Sequence, residues 1–137
     1  MSIQSIITAL ENKLDLISPA LATQKEGTNF TPVLGIPYQV VDTLFSEPEN
    51  PSLGIIEYRE RGIFQITLAY PKGVGAGAIN VRADLIKETF YRGITLTYAG
   101  INVIIDKTPS IEKRDDEGDR IKKVVKIRFY SDIIRSV

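Results

Sequence analysis

The segment that most suggests ligand chemistry is a glycine-rich stretch at residues 72–78, with the sequence KGVGAGA. It lies between a segment with strand periodicity and one with helical periodicity, which is the context of a phosphate-binding loop. The spacing matches neither known pattern: it is G-x-G-x-G where dinucleotide binding requires G-x-G-x-x-G, and no Lys-Ser or Lys-Thr pair follows Gly77. We therefore expect a flexible turn before a helix. A small nucleotide-binding protein that uses Lys72 and this turn stays open as an alternative.

A second candidate for chemistry is the acidic run at residues 115–119, with the sequence DDEGD. Oxygen-rich clusters of this kind suit hard cations such as Ca²⁺. The calcium-loop pattern D-x-D-x-D-G is absent, and Lys113, Arg114 and Arg120 offset the negative charge. The run therefore predicts a solvated hairpin loop, and we expect neither a metal site nor a cofactor.

Two strand segments carry charge at a spacing of two residues, which places their charged side chains on one face of an extended strand. The first segment has both signs, and the second is basic with Lys123 nearby. A solvated face that discourages aggregation is the simple explanation for each, and a DNA-contacting role for the basic strip is another alternative. We take them as the candidate subunit or partner interface, formed by Glu57, Arg59, Arg61, Lys122, Lys126 and Arg128.

Composition narrows the possible activities. The 137 residues contain no histidine and no cysteine. This removes the commonest general base, the commonest metal ligand, and every disulfide or thiolate site. The 17 basic and 17 acidic residues balance, which argues against a dedicated nucleic-acid binder. We expect a protein that is not an enzyme and that binds no nucleic acid specifically.

The N-terminal part of the chain predicts one helix, one strand and two long loops. Apolar residues recur at helical spacing from Ile3 to Ile17, which predicts a helix over residues 2–17 that ends before Pro19. Its charged positions rule out a signal peptide, and apolar runs elsewhere are too short to span a membrane. Residues 18–35 and 46–54 show no periodicity and predict long loops on either side of a strand at 36–45.

The remainder of the chain predicts more strands than helices. Residues 55–70 predict a strand in which Gly62 marks a bulge, a bend or a turn. A second helix, two short strands, a polar loop and a final strand are predicted at 78–91, 94–98, 101–107, 108–120 and 121–133. Runs of strands of this kind indicate one α+β domain over residues 1–137, with a mainly antiparallel sheet and two helices packed on one face.

Several short motifs occur in an order that is typical of a known protein family. These motifs are NFTP at 29–32, GIPY at 35–38, YRERGIFQ at 58–65, YP at 70–71, FYRG at 90–93 and TPS at 108–110. In this order the chain resembles, over nearly its whole length, the tail terminator (tail-completion) proteins of long-tailed bacteriophages.

The resemblance implies a structural assembly protein in the virion tail, put together in the host cytoplasm. Such a protein would form a homohexameric ring that caps the tail tube and stops its polymerisation. It would also present a surface to the head–neck connector proteins, so its partners would be copies of itself, the tail-tube protein and the connectors. A neck or head-completion protein of similar fold is the alternative within the same class.

Overall fold

Two helices and seven strands make up the part of the chain that the computed structural model describes: residues 2–18, 20–28, 30–33, 35–50, 57–74 and 76–134. In chain order they are α1 (Ser2–Asp15), β1 (Ala22–Gln24), β2 (Tyr38–Phe45), β3 (Glu57–Pro71), α2 (Gly77–Thr89), β4 (Thr95–Tyr98), β5 (Ile101–Ile105), β6 (Ser110–Glu117) and β7 (Arg120–Ile134). A short 3₁₀ turn, Lys72–Val74, joins β3 to α2. The predicted α+β class is confirmed.

The strands form one sheet in the order β1-β2-β3-β7-β5-β4, and β6 pairs with the first part of β7. All pairings are antiparallel except β1 with β2. The two 15-residue strands β3 and β7 pair along their whole length, from Glu57 opposite Ile134 to Pro71 opposite Arg120. This central pair therefore sets the two faces of the sheet.

The core lies on the face of the sheet that both helices cover. On β3 and β7 the alternation predicted from the sequence is confirmed, since the inward residues of both strands are buried and those between them are partly exposed over Phe64–Leu68 and Val125–Phe129. The buried side chains come from both strands and both helices, and include Phe64, Ile66, Leu68, Val125, Ile127, Phe129, Ile6, Leu10, Leu14, Ile79 and Ile86. Burial of each large aliphatic or aromatic side chain contributes about 1.5–3 kcal/mol, so the core needs no disulfide to hold it.

Gly62 lies in the middle of an unbroken strand, and the predicted bulge, bend or turn is wrong. It pairs with Phe45 on one side and with Phe129 on the other without a change of register. A Cβ atom here would collide with the carbonyl oxygen of Leu44 and would lie 2.9 Å from Cζ of Phe129. The glycine is required because the Phe129 ring packs directly on the backbone.

Two segments predicted as loops contain strands. The segment 18–35 includes β1, a three-residue edge strand too short to show periodicity. The predicted polar loop 108–120 is mostly β6, whose sequence SIEKRDDE lacks apolar alternation. An edge strand tolerates such a polar and charged sequence. In the loop 46–54, Glu49 forms an isolated bridge with Arg59. Residues 51–56, including the predicted start of the third element at 55, lie outside the described residues.

Candidate functional site

The six candidate interface residues lie on a single face of the β3–β7 pair. Directly opposite residues in an antiparallel pair point to the same side of the sheet. The register sets Arg59 opposite Asp132, Arg61 opposite Tyr130, and Ile63 opposite Arg128, all on the side away from the helices. We call this surface the charged face; it carries Glu57, Arg59, Arg61, Lys122, Lys126 and Arg128.

Arg59 is held by a carboxylate across the strand pair. Its Nε donates to Oδ1 of Asp132 at 2.7 Å and its Nη2 donates to Oδ2 at 3.1 Å. This two-point contact is the strongest geometry for an arginine–carboxylate pair. The hydrogen bond to Asp132 is the main reason why the pKa of Arg59 is raised above its usual value. The guanidinium also lies 4.3 Å from the centre of the Tyr130 ring.

Arg61 belongs to the same cluster. Its Nη1 donates to Oδ2 of Asp106 at 2.7 Å, and its Nε lies 3.3 Å from Oε1 of Glu49. Its guanidinium lies 5.4 Å from the centre of the Tyr130 ring. Two arginines thus lie near one tyrosine ring, and each of them is paired with at least one of three carboxylates. The cluster is an ordered polar surface.

On the basic part of the charged face, not every cation is paired with a carboxylate of the described residues. Lys126 pairs with Oε2 of Glu112 on β6 at 2.9 Å. Arg128 is half-buried next to Ile63, and within the described ranges no carboxylate lies within 4 Å of its guanidinium. Leu44, opposite Ile63 on β2, is 54% exposed. A cation beside exposed apolar surface, at the middle of a sheet face, suits contact with an acidic or mixed partner surface.

Sequence reasoning missed the residues that balance the arginines. Asp132 and Asp106 lie 73 and 45 residues from the arginines that they contact. Only one signal for them was present: continuing the alternation of the last strand beyond Tyr130 puts Asp132 on the same face. No pattern in the sequence connects Glu49 with Arg61.

The other two candidate segments are described only in part. Lys72 and Gly73 are exposed in the 3₁₀ turn, and Ala76 precedes α2 without a side-chain hydrogen bond to the helix end. The side chains of the acidic run at 115–117 lie outside the described residues. Across the described part of the chain, no group of three acidic, histidine or cysteine residues is placed to hold a metal ion.

A clasp built around Arg120 fixes a turn to the outer side of the sheet. Arg120 is buried, and its guanidinium donates to the carbonyl oxygens of Ile36 and Val33, both at 2.7 Å. It also lies 4.8 Å from the centre of the Tyr38 ring. The turn itself closes with a 3.1 Å hydrogen bond from the Ile36 amide to the Val33 carbonyl, with Gly35 at φ +79°. The sequence predicted Val33 in a loop and Ile36 at the start of a strand, but that strand begins at Tyr38.

An apolar groove of about 300 Å³ runs along α2 on the opposite side of the sheet, the side that carries the helices. Ala78, Val81 and Leu85 form one wall at helical spacing, and Tyr70 of β3 contributes to the other. Arg82 lies beneath them, and burial lowers the pKa of its guanidinium from the usual value. Burial likewise raises the pKa of the Tyr70 hydroxyl.

Comparison with known proteins identifies a family that matches most of this chain. A protein family described as "Phage tail terminator protein" matches residues 5–129. This chain belongs to that family. The resemblance inferred from the sequence motifs is therefore confirmed, and with it a structural role in phage tail assembly.

A solved structure supports the fold of this tail terminator family member. It is 22% identical in sequence, with a TM-score of 0.66, and the alignment covers 100% of this chain and 99% of that chain. At this identity the likeness establishes the fold alone. Among curated proteins none matches the sequence. No helix in the described residues is long and apolar enough to cross a bilayer.

Proposed function

We propose that this protein ends the growth of a phage tail by forming a ring on the tip of the tail tube. In this proposal the ring is a homohexamer that blocks addition of further tube subunits and then presents its other side to the head–neck connectors. Assembly takes place in the host cytoplasm, and the ring remains in the virion tail. The observation that carries the proposal is the family match, which spans 125 of the 137 residues.

The charged face supports this proposal because its composition suits a contact between proteins. It combines arginines, a tyrosine and exposed aliphatic side chains, and arginine and aromatic residues are enriched at interfaces. Arg59 and Arg61 are already oriented by Asp132, Asp106 and Glu49, so little side-chain entropy is lost when a partner docks. We propose that Glu57, Arg59, Arg61, Lys122, Lys126 and Arg128 contact a neighbouring subunit or a tail partner.

The decisive experiment measures tail length. Phage lacking the gene for this protein should make tails of abnormal and variable length, and supplying the wild-type protein should restore one uniform length in electron micrographs. Tails that are uniform without the protein would contradict the proposal. Tails of normal length that fail to join heads would favour the neck or head-completion alternative.

A second measurement addresses the nucleotide-binding alternative. Isothermal calorimetry of the purified protein with ATP, NAD and Ca²⁺ should show no saturable binding in the micromolar range. The reason is the broken glycine spacing around the exposed Lys72. Saturable binding that is lost in a Lys72→Ala variant would instead assign a ligand site to the glycine-rich stretch.

A further inference from the structure

A polar pocket of about 180 Å³ adjoins the charged face, where the turn after α2 meets the end of β5. Its walls are formed by Arg92, Gly93, Ile104, Ile105, Asp106 and Tyr130. Tyr130 is also the ring that lies beside Arg59 and Arg61 on the charged face. The pocket therefore continues the surface proposed for contact with a partner.

The turn after α2 holds Arg92 beside this pocket. It closes with a 3.2 Å hydrogen bond from the Ile94 amide to the Tyr91 carbonyl. Gly93 has φ +92°, a left-handed conformation that glycine adopts readily in tight turns. The Gly93 amide donates to the Ile105 carbonyl at 2.8 Å, and the Ile105 amide donates to the Ile94 carbonyl at 3.0 Å. These bonds attach the turn to β5, so the sheet determines the position of the Arg92 backbone.

The positive charge of Arg92 is not neutralised by the nearby carboxylates. The three carboxylates of the cluster around Tyr130 are paired with Arg59 and Arg61. Over the part of the chain that the structure describes, no carboxylate lies within 4 Å of the exposed Arg92 guanidinium. The same is true of Arg128, which is two residues from Tyr130 on the same face of β7. Two permanently charged groups beside the pocket thus lack an anionic partner among the described residues.

The carboxylate of an acidic side chain fits this arrangement. A guanidinium binds a carboxylate through two parallel hydrogen bonds, and the ion pairs of Arg59 and Arg61 can remain in place while it does so. A nucleic acid fits less well, because its successive phosphates would approach the carboxylates of the same cluster. The chain also has no excess of basic residues, with 17 of each sign.

We propose that the pocket receives an Asp or Glu side chain of a partner protein, and that Arg92 binds its carboxylate. Arg128, beside the pocket, adds positive potential that attracts the same acidic surface. This inference rests on the assembly function proposed above. It adds a binding site outside the six candidate interface residues and specifies the chemistry of the partner.

The first test uses a small probe, an acetylated Gly-Glu-Gly amide, with the neutral Gly-Gln-Gly peptide for comparison. In an NMR titration the acidic peptide should shift the Gly93 amide and Arg92 side-chain signals saturably at millimolar concentration, and the neutral peptide should not. Arg92→Gln should weaken binding roughly 10-fold, because a charge-assisted hydrogen bond is lost. Equal shifts with both peptides, or no saturable shift of the parent, would overturn the proposal.

The matched control is Lys87→Gln on α2. Lys87 is an exposed cation five residues before Arg92, and it does not line the pocket. This variant should bind the acidic peptide like the parent; binding weakened as much as by Arg92→Gln would show a general effect of charge and no specific pocket. A short DNA duplex that shifts the same signals at lower concentration than the peptide would assign the pocket to nucleic acid and overturn the proposed partner.

The second test reverses the charge in phage. With Arg92→Glu as the only copy, the yield of infectious particles should fall roughly 10-fold or more, since reversal sets like charges against each other. Second-site mutations that restore the yield should replace an Asp or Glu with a Lys or Arg in another virion protein. A normal yield, or restoring mutations that leave charge unchanged, would contradict the acidic partner.

Failure of this inference can be distinguished from failure of the proposed function. If loss of the gene makes tail length variable but Arg92→Glu supports normal assembly, the function stands and the pocket assignment is wrong. If the peptide binds through Arg92 and Arg92→Glu reduces the yield while tail length stays uniform even without the protein, the pocket stands and the tail-capping function is wrong.

Discussion

Arg59 and Asp132 face each other across the two longest strands and are joined by hydrogen bonds of 2.7 and 3.1 Å. They are 73 residues apart in the chain. The pair anchors a cluster that continues through Tyr130 to Arg61 and its two carboxylates. The arginines proposed for contact with a partner are thus also part of the folded subunit.

Replacing both arginines, Arg59→Glu with Arg61→Glu, should weaken assembly and also lower stability. From the sequence alone we expect the melting temperature to stay nearly unchanged. The structure instead predicts a loss of about 1–3 kcal/mol, because exposed pairs contribute up to about 1 kcal/mol each and reversal places like charges beside three carboxylates. Urea unfolding measures the stability, and sedimentation together with tail length measures assembly.

Arg128→Glu should weaken assembly without lowering the stability of the subunit. No carboxylate of the described residues lies within 4 Å of Arg128, so its reversal removes no ion pair there. Stability should change by less than about 0.5 kcal/mol, while contact with an acidic partner surface should be lost. A variant that assembles and restores tail length like the parent would show that the charged face is only solvated.

Gly62→Ala should be strongly destabilising. The added methyl group has no space between the Leu44 carbonyl and the Phe129 ring, and overpacking of this kind costs about 1–3 kcal/mol. Gly73→Ala is the matched control, since a Cβ atom there meets nothing within 4 Å. Urea unfolding should give a lower midpoint for Gly62→Ala and a nearly unchanged one for Gly73→Ala; equal midpoints would mean that the ring does not pack on the backbone.

Arg120→Met should release the turn at residues 33–36. The variant loses two hydrogen bonds from a charged donor to the Val33 and Ile36 carbonyls, which should cost about 2–4 kcal/mol. Hydrogen exchange should accelerate at the Ile36 amide, which closes the turn. Arg120→Lys is the control, because an ammonium group cannot donate to both carbonyls in the planar geometry of a guanidinium. It should restore only part of the loss, and full restoration would contradict the clasp.

Glu11 provides a test with pH. Burial is the main reason why its pKa is raised above the ordinary value of 4.5, although Lys25 opposes the change. Because the folded state holds this proton more tightly than the unfolded state, stability falls as the pH rises from about 4.5 through the folded pKa. Glu11→Gln should therefore melt at a higher temperature than the parent at pH 7. The difference should disappear below pH ~4; a difference that is unchanged at low pH would exclude this cause.

Much of the molecule follows from local sequence. Apolar residues alternate with period two on β3 and β7 and recur with helical spacing on α1 and α2, so these elements and their buried faces were predicted correctly. The same alternation places the charged residues of each strand on one face, whatever the register between the two strands. This works because burial of an apolar face is decided within a single element.

The tertiary structure alone decided which separate surfaces meet. The polar sequence of β6 becomes a strand only because β7 offers it hydrogen-bonding partners, and Arg120 finds the Ile36 carbonyl 84 residues away. The register of β3 with β7, which the buried residues on the other side of the sheet determine, brings Asp132 beside Arg59. Asp106, after β5, and Glu49, after β2, reach Arg61 from other parts of the fold. Contacts between charged side chains produce no periodic pattern in the sequence, because their geometry is set by the apolar residues that pack beneath them.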